Sequence, residues 1–259
     1  MFCPEQVRFV IFAVPRTGSN LLCGMLNSHP SVLCHHGLFN PSGIHYALDY
    51  RGHLDFGSLE ERDNDPRRFL KRVWRNNFGV RAIGFKLNRG ENEIAAEEIL
   101  GDATIRKILL YRQNRLKTYV SELIAQQTTQ WESYTGTDHP AQAPKVHVDP
   151  AAFRQHVALN RNYYGLLEAA LRTSGQEFLC LDYESLGCGH HLRLVFKFIE
   201  VSLDIPILEA PSFKRNSNDL RDLVANFSDL AIAIRGSEFE KDLDILDAPH
   251  ISEVQVGSC

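Results

Sequence analysis

Short apolar runs alternate with longer amphipathic stretches along the 259-residue chain. The apolar runs are rich in β-branched and aromatic residues, which is typical of buried strands. They lie at residues 8–14, 31–35, 81–87, 105–111 and 177–183. The amphipathic stretches, whose apolar residues recur with the period of a helix, lie at residues 19–28, 67–76, 92–100, 116–124, 150–173 and 190–201. This alternation predicts an α/β fold with a parallel central sheet flanked by helices.

Two stretches show neither period. Residues 36–65 mix glycine, proline, histidine and charged residues, and we expect an irregular excursion there with one helical turn near 44–50. Residues 128–149 carry clustered turn-forming residues and predict a long loop, a feature that is usually functional or mobile in compact domains. The tail after residue 205 is interrupted by prolines, including Pro206 and Pro211, contains a basic stretch, and predicts one more helix.

Composition and charge limit the number of domains, the partners and the cellular location that we expect for this protein. With 44% hydrophobic residues the chain can bury one large core, so we expect a single domain over 1–259 with a helical C-terminal part from about residue 150. The net charge of −4 includes no polybasic stripe, which disfavours nucleic acid and anionic membranes as partners. The first apolar run is too short for a membrane span or a secretory leader. Six cysteines without CxxC spacing favour reduced thiols, and we expect a cytoplasmic protein.

The turn PRTGSN, residues 15–20, joins the first predicted strand to the first predicted helix. Backbone amides at a helix N-terminus point outward and the helix dipole is positive there, so such a turn attracts phosphate groups. Gly18 allows close backbone approach, while Thr17 and Ser19 add hydroxyl donors. Arg16 adds a permanent cation. The lysine of a GxxxxGK[ST] loop is absent, which disfavours a nucleoside triphosphatase, and a plain serine-capped helix start explains the turn about equally well.

A second element, ILLYRQNRLKTYVSEL at 108–123, points to a second anion. Its strand delivers Arg112 at the carboxyl end, and its helix carries Ser121 off the apolar stripe. The guanidinium and the hydroxyl then converge, although an exposed arginine and an ordinary helical serine are the alternative. Because the carboxyl ends of parallel strands share one edge of a sheet, the predicted site lies near residues 15–20, 35–41, 86–91 and 112–121.

These two elements resemble those that bind 3′-phosphoadenosine-5′-phosphosulfate (PAPS) in the sulfotransferases: PRTGSNLL resembles the 5′-phosphosulfate loop and YRQNRLKTYVSEL the 3′-phosphate site. The segments NSHPSVLCHHGLFNPSGI and LDYESL are similar to bacterial carbohydrate sulfotransferases, including those that sulfate nodulation factors. The resemblance spans residues 7–200. It implies a P-loop-like sulfotransferase fold, in-line transfer of a sulfuryl group from PAPS to a hydroxyl or amine of a small-molecule or carbohydrate acceptor, and 3′,5′-adenosine bisphosphate (PAP) as product. The sequence leaves open whether the protein forms a homodimer.

The resemblance also implies roles for single residues. Arg16 stands where the family has a catalytic lysine or arginine, which stabilises the bridging oxygen as the sulfuryl group leaves. Arg112 and Ser121 are implied to hold the 3′-phosphate, although their spacing is one residue longer than the commoner pattern. The residues implied to cradle the 5′-phosphate are Thr17, Gly18, Ser19 and Asn20.

Three further basic residues have family counterparts. Lys86 resembles a lysine that approaches the transferred group in cytosolic relatives, and a solvated strand end is the alternative. Lys214 and Arg215 lie where the family often closes a basic loop over the cofactor, and a surface charge cluster explains them equally well.

The sequence departs from the family at the general base that an acceptor hydroxyl needs. Cytosolic sulfotransferases have a histidine two residues after the Lys86 position, and here that residue is Asn88. Bacterial carbohydrate sulfotransferases have a glutamate just before the LFNP-like stretch, and here that residue is Gly37. The chain therefore lacks both expected bases.

His35 and His36 are the nearest replacements, because imidazole accepts a proton near neutral pH. Packing or capping histidines are the alternative, and Glu91 is a weaker candidate. A chain without any base would be a non-catalytic or weakly active module that binds PAPS or another nucleotide. We expect no metal, because Cys34-His35-His36 and His190-His191 lack the spaced ligand pairs of a zinc site.

Overall fold

A computed structural model describes residues 6–76, 78–129, 131, 144–187, 189–203, 219–243 and 256–257. Its described strands form one sheet in the order β2-β3-β1-β4-β5-β6. The strands are β1 (Val7–Ala13), β2 (Val32–Gly37), β3 (Ala82–Asn88), β4 (Ile105–Tyr111), β5 (Phe178–Asp182) and β6 (Val256–Gly257). The first five pair in parallel and β6 runs antiparallel to β5. The predicted α/β class with a parallel central sheet is therefore confirmed.

Helices connect and cover the strands. The α-helices of the described residues are α1 (Ser19–Asn27), α2 (Leu59–Asn64), α3 (Pro66–Arg75), α4 (Glu93–Gly101), α5 (Arg115–Thr128), α6 (Pro150–Thr173), α7 (Gly189–Phe198), α8 (Leu220–Leu223) and α9 (Phe227–Ile234). Short 3₁₀ helices lie at Leu48–Tyr50, Tyr183–Ser185 and Glu240–Leu243. In this described part of the chain, none of the helices has both the length and the apolarity needed to cross a bilayer.

The central strand β1 is buried on both faces, which explains its continuous apolar run. Side chains alternate across a strand, so β1 packs into two separate cores. One core contains Phe9 and Ile11 together with residues of α1 and α7. The other contains Val10 and Phe12 together with residues of α3, α4 and α6. A third core joins α5 and α6 to the C-terminal helices α8 and α9.

The structure differs from the predicted elements in four places. Strand β2 extends to Gly37, beyond the predicted end at residue 35. Helix α2 lies inside the stretch that was expected to be irregular, and Ser58 and Glu61 form a capping box at its start. The described part of the tail contains the α-helices α8 and α9, where one helix was predicted. The two-residue strand β6 was not predicted.

Candidate functional site

The predicted phosphate-binding turn directly follows β1 at the carboxyl edge of the sheet. Its backbone is left-handed at Arg16, with φ 67°, and at Gly18, with φ 85°. Gly18 is the N-cap residue of α1 and has no side chain to cap the helix. A Cβ atom at position 18 would also collide with the ring of Tyr183. Both the backbone angle and the close ring therefore require glycine here.

Hydrogen bonds fix the start of the turn against α6. The Tyr164 hydroxyl accepts a hydrogen bond from the Val14 amide at 3.1 Å and donates one to the Leu110 carbonyl at 2.5 Å. Burial raises the pKa of Tyr164, so this hydroxyl keeps its proton and stays a donor. The buried Thr17 hydroxyl donates to the Val14 carbonyl at 2.9 Å. The turn is thus tied to the ends of β1 and β4.

Arg112, at the end of β4, lies beside the turn as the sequence predicts. Its Nη1 donates to the Arg16 carbonyl oxygen at 3.1 Å. Its guanidinium lies over the ring of Tyr183, 4.5 Å from the centroid, an arrangement that favours a cation–π interaction. The Arg112 Nε is buried and makes no hydrogen bond to the described residues. This nitrogen is therefore a buried donor that an anion can satisfy.

Ser121, on α5, contacts Arg16 in this structure. The Arg16 Nε donates to the Ser121 Oγ at 2.9 Å, and the Arg16 Nη1 donates to the Trp131 carbonyl at 2.5 Å. The sequence instead predicts that Ser121 and Arg112 converge on one anion. In the structure Arg16 lies between them, because its side chain binds Ser121 and its carbonyl binds Arg112.

The LDYESL segment after β5 supports this cluster through two residues that the sequence analysis did not assign. Tyr183 contacts both Gly18 and Arg112. Glu184 accepts hydrogen bonds from the amides of Gln113 and Asn114, at 3.1 and 3.2 Å. These bonds hold the loop between β4 and α5. The segment was identified in sequence only through its similarity to the family.

The two adjacent histidines at the end of β2 have different surroundings. His36 is buried, and its Nδ1 lies 3.2 Å from the Oδ1 of Asn20 in α1. His35 is buried between the rings of Tyr46 and Phe56, with centroids 5.9 and 5.5 Å away. Its Nδ1 accepts a hydrogen bond from the Ala47 amide at 3.2 Å, and burial lowers its pKa to about 4. These contacts are those of a packing histidine.

A second set of side chains lies where β2 and β3 end. Lys86 is buried in β3 and is in register with Gly37 of β2. Glu91 follows β3, and its Oε2 and Oε1 accept hydrogen bonds from the backbone and side-chain nitrogens of Asn88, at 2.9 and 2.7 Å. A Cβ atom built on Gly37 would lie 3.8 Å from the Glu91 Oε1. The Glu91 carboxylate therefore faces the position at which a side chain is missing.

Charge and burial act in opposite directions on Glu91. Burial raises the pKa of its carboxyl group above the ordinary value, while the positive charges of Lys86 and Arg62 act to lower it. Arg62 is a buried residue of α2, and its Nη1 donates to the carbonyl oxygens of Leu38, Asn40 and Gly43, at 3.1, 2.8 and 3.3 Å. Arg62 thus holds the loop after β2 in place, a role that the sequence analysis missed.

Two of the predicted site residues, Lys214 and Arg215, lie outside the described residues. The same is true of residues 132–143 of the predicted long loop. Among the residues that are described, no three His, Cys, Asp or Glu side chains come together as a metal site requires.

No family model matches the sequence. The chain is 26% identical over 181 residues to Nodulation protein H of Rhizobium meliloti (strain 1021), which covers 69% of this chain and 70% of that protein. Among solved structures, it is similar to a sulfotransferase from Alicyclobacillus acidocaldarius, with a TM-score of 0.47, 15% identity, and coverage of 94% of this chain and 95% of the other. It is also similar to mouse sulfotransferase SULT7A1 complexed with PAP, with a TM-score of 0.42, 12% identity, and coverage of 93% and 88%. The sequence similarity confirms the resemblance to sulfotransferases of the nodulation-factor type that the motifs indicated.

Proposed function

We propose that the protein is a sulfotransferase that moves a sulfuryl group from PAPS to a hydroxyl or amine of a small-molecule or carbohydrate acceptor. The observation that carries this proposal is the cluster of Arg16, Arg112 and Ser121 around the N-terminus of α1. Two guanidinium groups and a helix N-terminus suit a ligand that carries two separate anionic groups. PAPS is such a ligand, because its 3′-phosphate and its 5′-phosphosulfate lie on opposite sides of the ribose.

The turn would bind the 5′-phosphosulfate. Gly18 gives the first turn of α1 no side-chain cap, and amides at a helix N-terminus are the groups that bind phosphate oxygens. Ser19 and Asn20 begin this helix, and Thr17 precedes it. The Arg16 guanidinium would move from Ser121 and Trp131 to the oxygen that bridges phosphorus and sulfur.

Arg112 would bind the 3′-phosphate. Its Nε is a buried donor without a partner among the described residues, and stacking on Tyr183 fixes the plane of its guanidinium. Ser121 contacts the side chain of Arg16, and Arg16 in turn contacts Arg112 through its carbonyl oxygen. The pair that the sequence predicts for this phosphate therefore remains our proposal.

The reaction we propose is a single in-line transfer. The acceptor oxygen or nitrogen forms a bond to sulfur while the bond between sulfur and the bridging oxygen breaks, and that oxygen leaves on PAP with the electron pair. Negative charge grows on the leaving oxygen, so a fixed cation beside it lowers the barrier. Arg16 would take that position once its guanidinium has moved from Ser121 and Trp131. The buried Lys86 would act on the transferred group from the side of β3. The acceptor proton must pass to a base.

The two histidines proposed as bases are supported unequally. His36 lies against Asn20 of the donor turn, so it is within the proposed site. His35 packs among aromatic rings, and its pKa of about 4 makes its imidazole a weak proton acceptor at neutral pH. His36 is thus the better supported of the two.

The alternative is a module that binds PAPS or another nucleotide without transfer. Gly37 and Asn88 favour it, because they stand at the two positions where the family has its base. A kinase that uses ATP is a more distant alternative, and the absent GK[ST] sequence disfavours it.

Two measurements separate these functions. The first is release of PAP on incubation with PAPS and a mixture of hydroxyl and amine acceptors. The second is thermal stability with PAP, with adenosine 5′-monophosphate (AMP), which lacks the 3′-phosphate, and with ATP plus Mg²⁺. We expect PAP release and a larger stabilisation by PAP than by AMP, because at equal ligand concentration the ligand that binds the native state more tightly stabilises it more. Stabilisation by PAP without turnover would support the binding module, and stabilisation by ATP alone would exclude our cofactor.

A further inference from the structure

We infer that Glu91 is the general base of the proposed transfer and takes the acceptor proton with the carboxylate that faces Gly37. This inference rests on the proposed function. It concerns a residue outside the two positions at which the resemblance places a base.

Both of those positions contact Glu91. Asn88 donates two hydrogen bonds to its carboxylate, at 2.9 and 2.7 Å. Gly37 lacks a side chain, and its Cβ position lies 3.8 Å from the Glu91 Oε1, a distance comparable with the reach of a glutamate from its own Cβ. The carboxylate of Glu91 therefore lies close to the place that the carboxylate of a glutamate at position 37 would occupy. The residues at positions 37 and 88 thus make room for Glu91 and orient it.

The carboxylate is also held firmly enough to act. The Glu91 amide donates to the Asn88 carbonyl at 3.1 Å, and Gly90 supplies the left-handed φ of 78° that closes this turn. An ionised carboxylate has about four acceptor positions, and Asn88 takes two of them. The remaining positions can accept the proton of an acceptor hydroxyl.

The charged and titratable groups around Glu91 come from three elements. Lys86 of β3 and Arg62 of α2 favour the carboxylate form. The Tyr163 hydroxyl of α6 also lies within its field, and burial keeps that phenol protonated. Burial of Glu91 acts against the two cations and raises its pKa. A base whose pKa is raised toward neutral pH takes a proton more readily than an exposed glutamate does.

The histidines are placed less well for this role. His36 points to Asn20 of α1, while the missing side chain of Gly37 would point to Asn40 and Glu91. His35 holds the Ala47 amide with its Nδ1.

In the proposed step, the acceptor O–H bond breaks and its proton passes to a Glu91 carboxylate oxygen. The acceptor oxygen forms the new bond to sulfur, and the bridging oxygen leaves on PAP with its electron pair. The protonated Glu91 then returns its proton to water. No oxidant, reductant or metal is needed to balance this step.

The test compares Glu91→Gln with Glu93→Gln, a neighbouring glutamate that is exposed at the start of α4. We expect E91Q to lower kcat/KM by about 10²- to 10⁴-fold, the usual contribution of a general base. We also expect the acidic limb of the wild-type pH–rate profile to disappear, and the stabilisation by PAP to stay unchanged. E93Q should behave as wild type in all three measurements.

A second variant guards against a structural effect of E91Q. Gly37→Glu in the E91Q background supplies a carboxylate from β2 in place of the one that follows β3. Asn40 must shift by a few tenths of an ångström to admit the new side chain. We expect this double variant to recover turnover and an acidic limb. In the wild-type background, Gly37→Glu should give no gain, because two carboxylates would then repel each other.

Three outcomes would overturn the inference. Near-normal turnover by E91Q would show that Glu91 takes no proton. Loss of the acidic limb in His36→Gln but not in E91Q would put the base on the imidazole. Absence of PAP release by the wild type, with PAP still stabilising the fold, would exclude the transfer itself and with it any base.

Discussion

The two halves of the candidate site are built in different ways. The donor half, around the turn at 15–20, is made of residues whose positions the sequence motifs indicate, and they contact one another directly. The acceptor half, where β2 and β3 end, has glycine and asparagine at the two positions where the family has its base. Glu91, which follows β3, and Arg62, from the more distant helix α2, reach that half instead.

Under the proposed function, this difference would follow from the ligand that each half binds. A donor site for one fixed nucleotide needs backbone amides and arginines in a set geometry, so little in it can change. An acceptor site needs only a proton acceptor and a suitable cavity, and a carboxylate can come from either side of the cleft. We infer that the donor half requires particular residues at particular places in the sequence. The acceptor half requires a proton acceptor at a particular place in the fold, whichever segment supplies it.

Replacing Arg16 should give the largest loss among the donor variants. We expect Arg16→Ala to lower kcat by about 10²- to 10³-fold, which is the usual effect of removing one preorganised donor from a transition state. Release of PAP under saturating PAPS measures it.

The backbone at Arg16 requires a control, because its φ of 67° is unfavourable for alanine. Arg16→Gly relieves that strain but also lacks the guanidinium. Equal losses in the two variants would assign the effect to the side chain. Full activity in Arg16→Gly would remove Arg16 from the chemistry and break the contrast between the two halves.

Replacing Arg112 should weaken donor binding selectively. We expect Arg112→Gln to raise the Kd for PAP by about ten- to a hundredfold, because a hydrogen bond to a charged group contributes about 1.5–3 kcal/mol. The Kd for AMP should not change, because AMP lacks the 3′-phosphate. Calorimetric titration of both ligands gives the ratio.

Arg106→Gln is the matched control, since Arg106 lies in the same strand but forms exposed ion pairs with Glu177 and Glu200. Equal weakening of PAP and AMP in Arg112→Gln would mean that Arg112 only supports the turn through the Arg16 carbonyl.

The sequence predicts the strand, turn and helix around residues 15–20 because its signals there are local. The turn 15–20 follows an apolar run and precedes an amphipathic one, and both elements form as expected. Arg112 follows the next inner strand in the same way. Gly18 was expected to allow close approach of the backbone, and the group that approaches it in the structure is Tyr183, which lies far along the chain.

The acceptor half is harder to predict because its contacts join distant segments. In the sequence, Arg62 is one of many charged residues. Only the fold shows that its side chain is buried and donates hydrogen bonds to three carbonyl oxygens. Its helix did have a signal, because Ser58 and Glu61 have the spacing of a capping box. The sequence predicts that residues 35–41 and 86–91 share one edge of the sheet and indicates Glu91 as a weaker candidate base, but the approach of Glu91 to Gly37 depends on the register of β2 against β3.

Replacing Arg62 should lower stability and, of the two halves, should change binding only at the acceptor half. We expect Arg62→Met to lower the free energy of unfolding by about 1–3 kcal/mol, because the carbonyl oxygens of Leu38, Asn40 and Gly43 lose the buried donor that they share. The KM for the acceptor should rise while the Kd for PAP stays the same. Chemical denaturation and steady-state kinetics measure these effects.

The control for Arg62 is Arg67→Met, which removes an exposed arginine paired with Glu98 on the surface. Such a surface pair contributes little stability. If Arg62→Met weakened PAP binding as much as acceptor binding, the two halves would not be separable.

Replacing His35 should have the smallest effect on turnover. His35→Asn keeps an acceptor near the Ala47 amide, and we expect kcat/KM to match the wild type because the ring packs in the core. The substitution should instead change how the free energy of unfolding depends on pH. Burial lowers the pKa of His35 from 6.5 to about 4, so the unfolded chain binds this proton more readily than the folded chain does. Stability therefore falls as the pH drops from about 6.5 towards 4.

His35→Asn should lose this part of the acid dependence, whereas His53→Asn, which changes an exposed histidine, should retain it. Urea denaturation at several pH values measures the slope. Loss of turnover in a folded His35→Asn variant that still binds PAP would place His35 in the chemistry. The acceptor half would then take its base from a local sequence position after all, and the difference from the donor half would disappear.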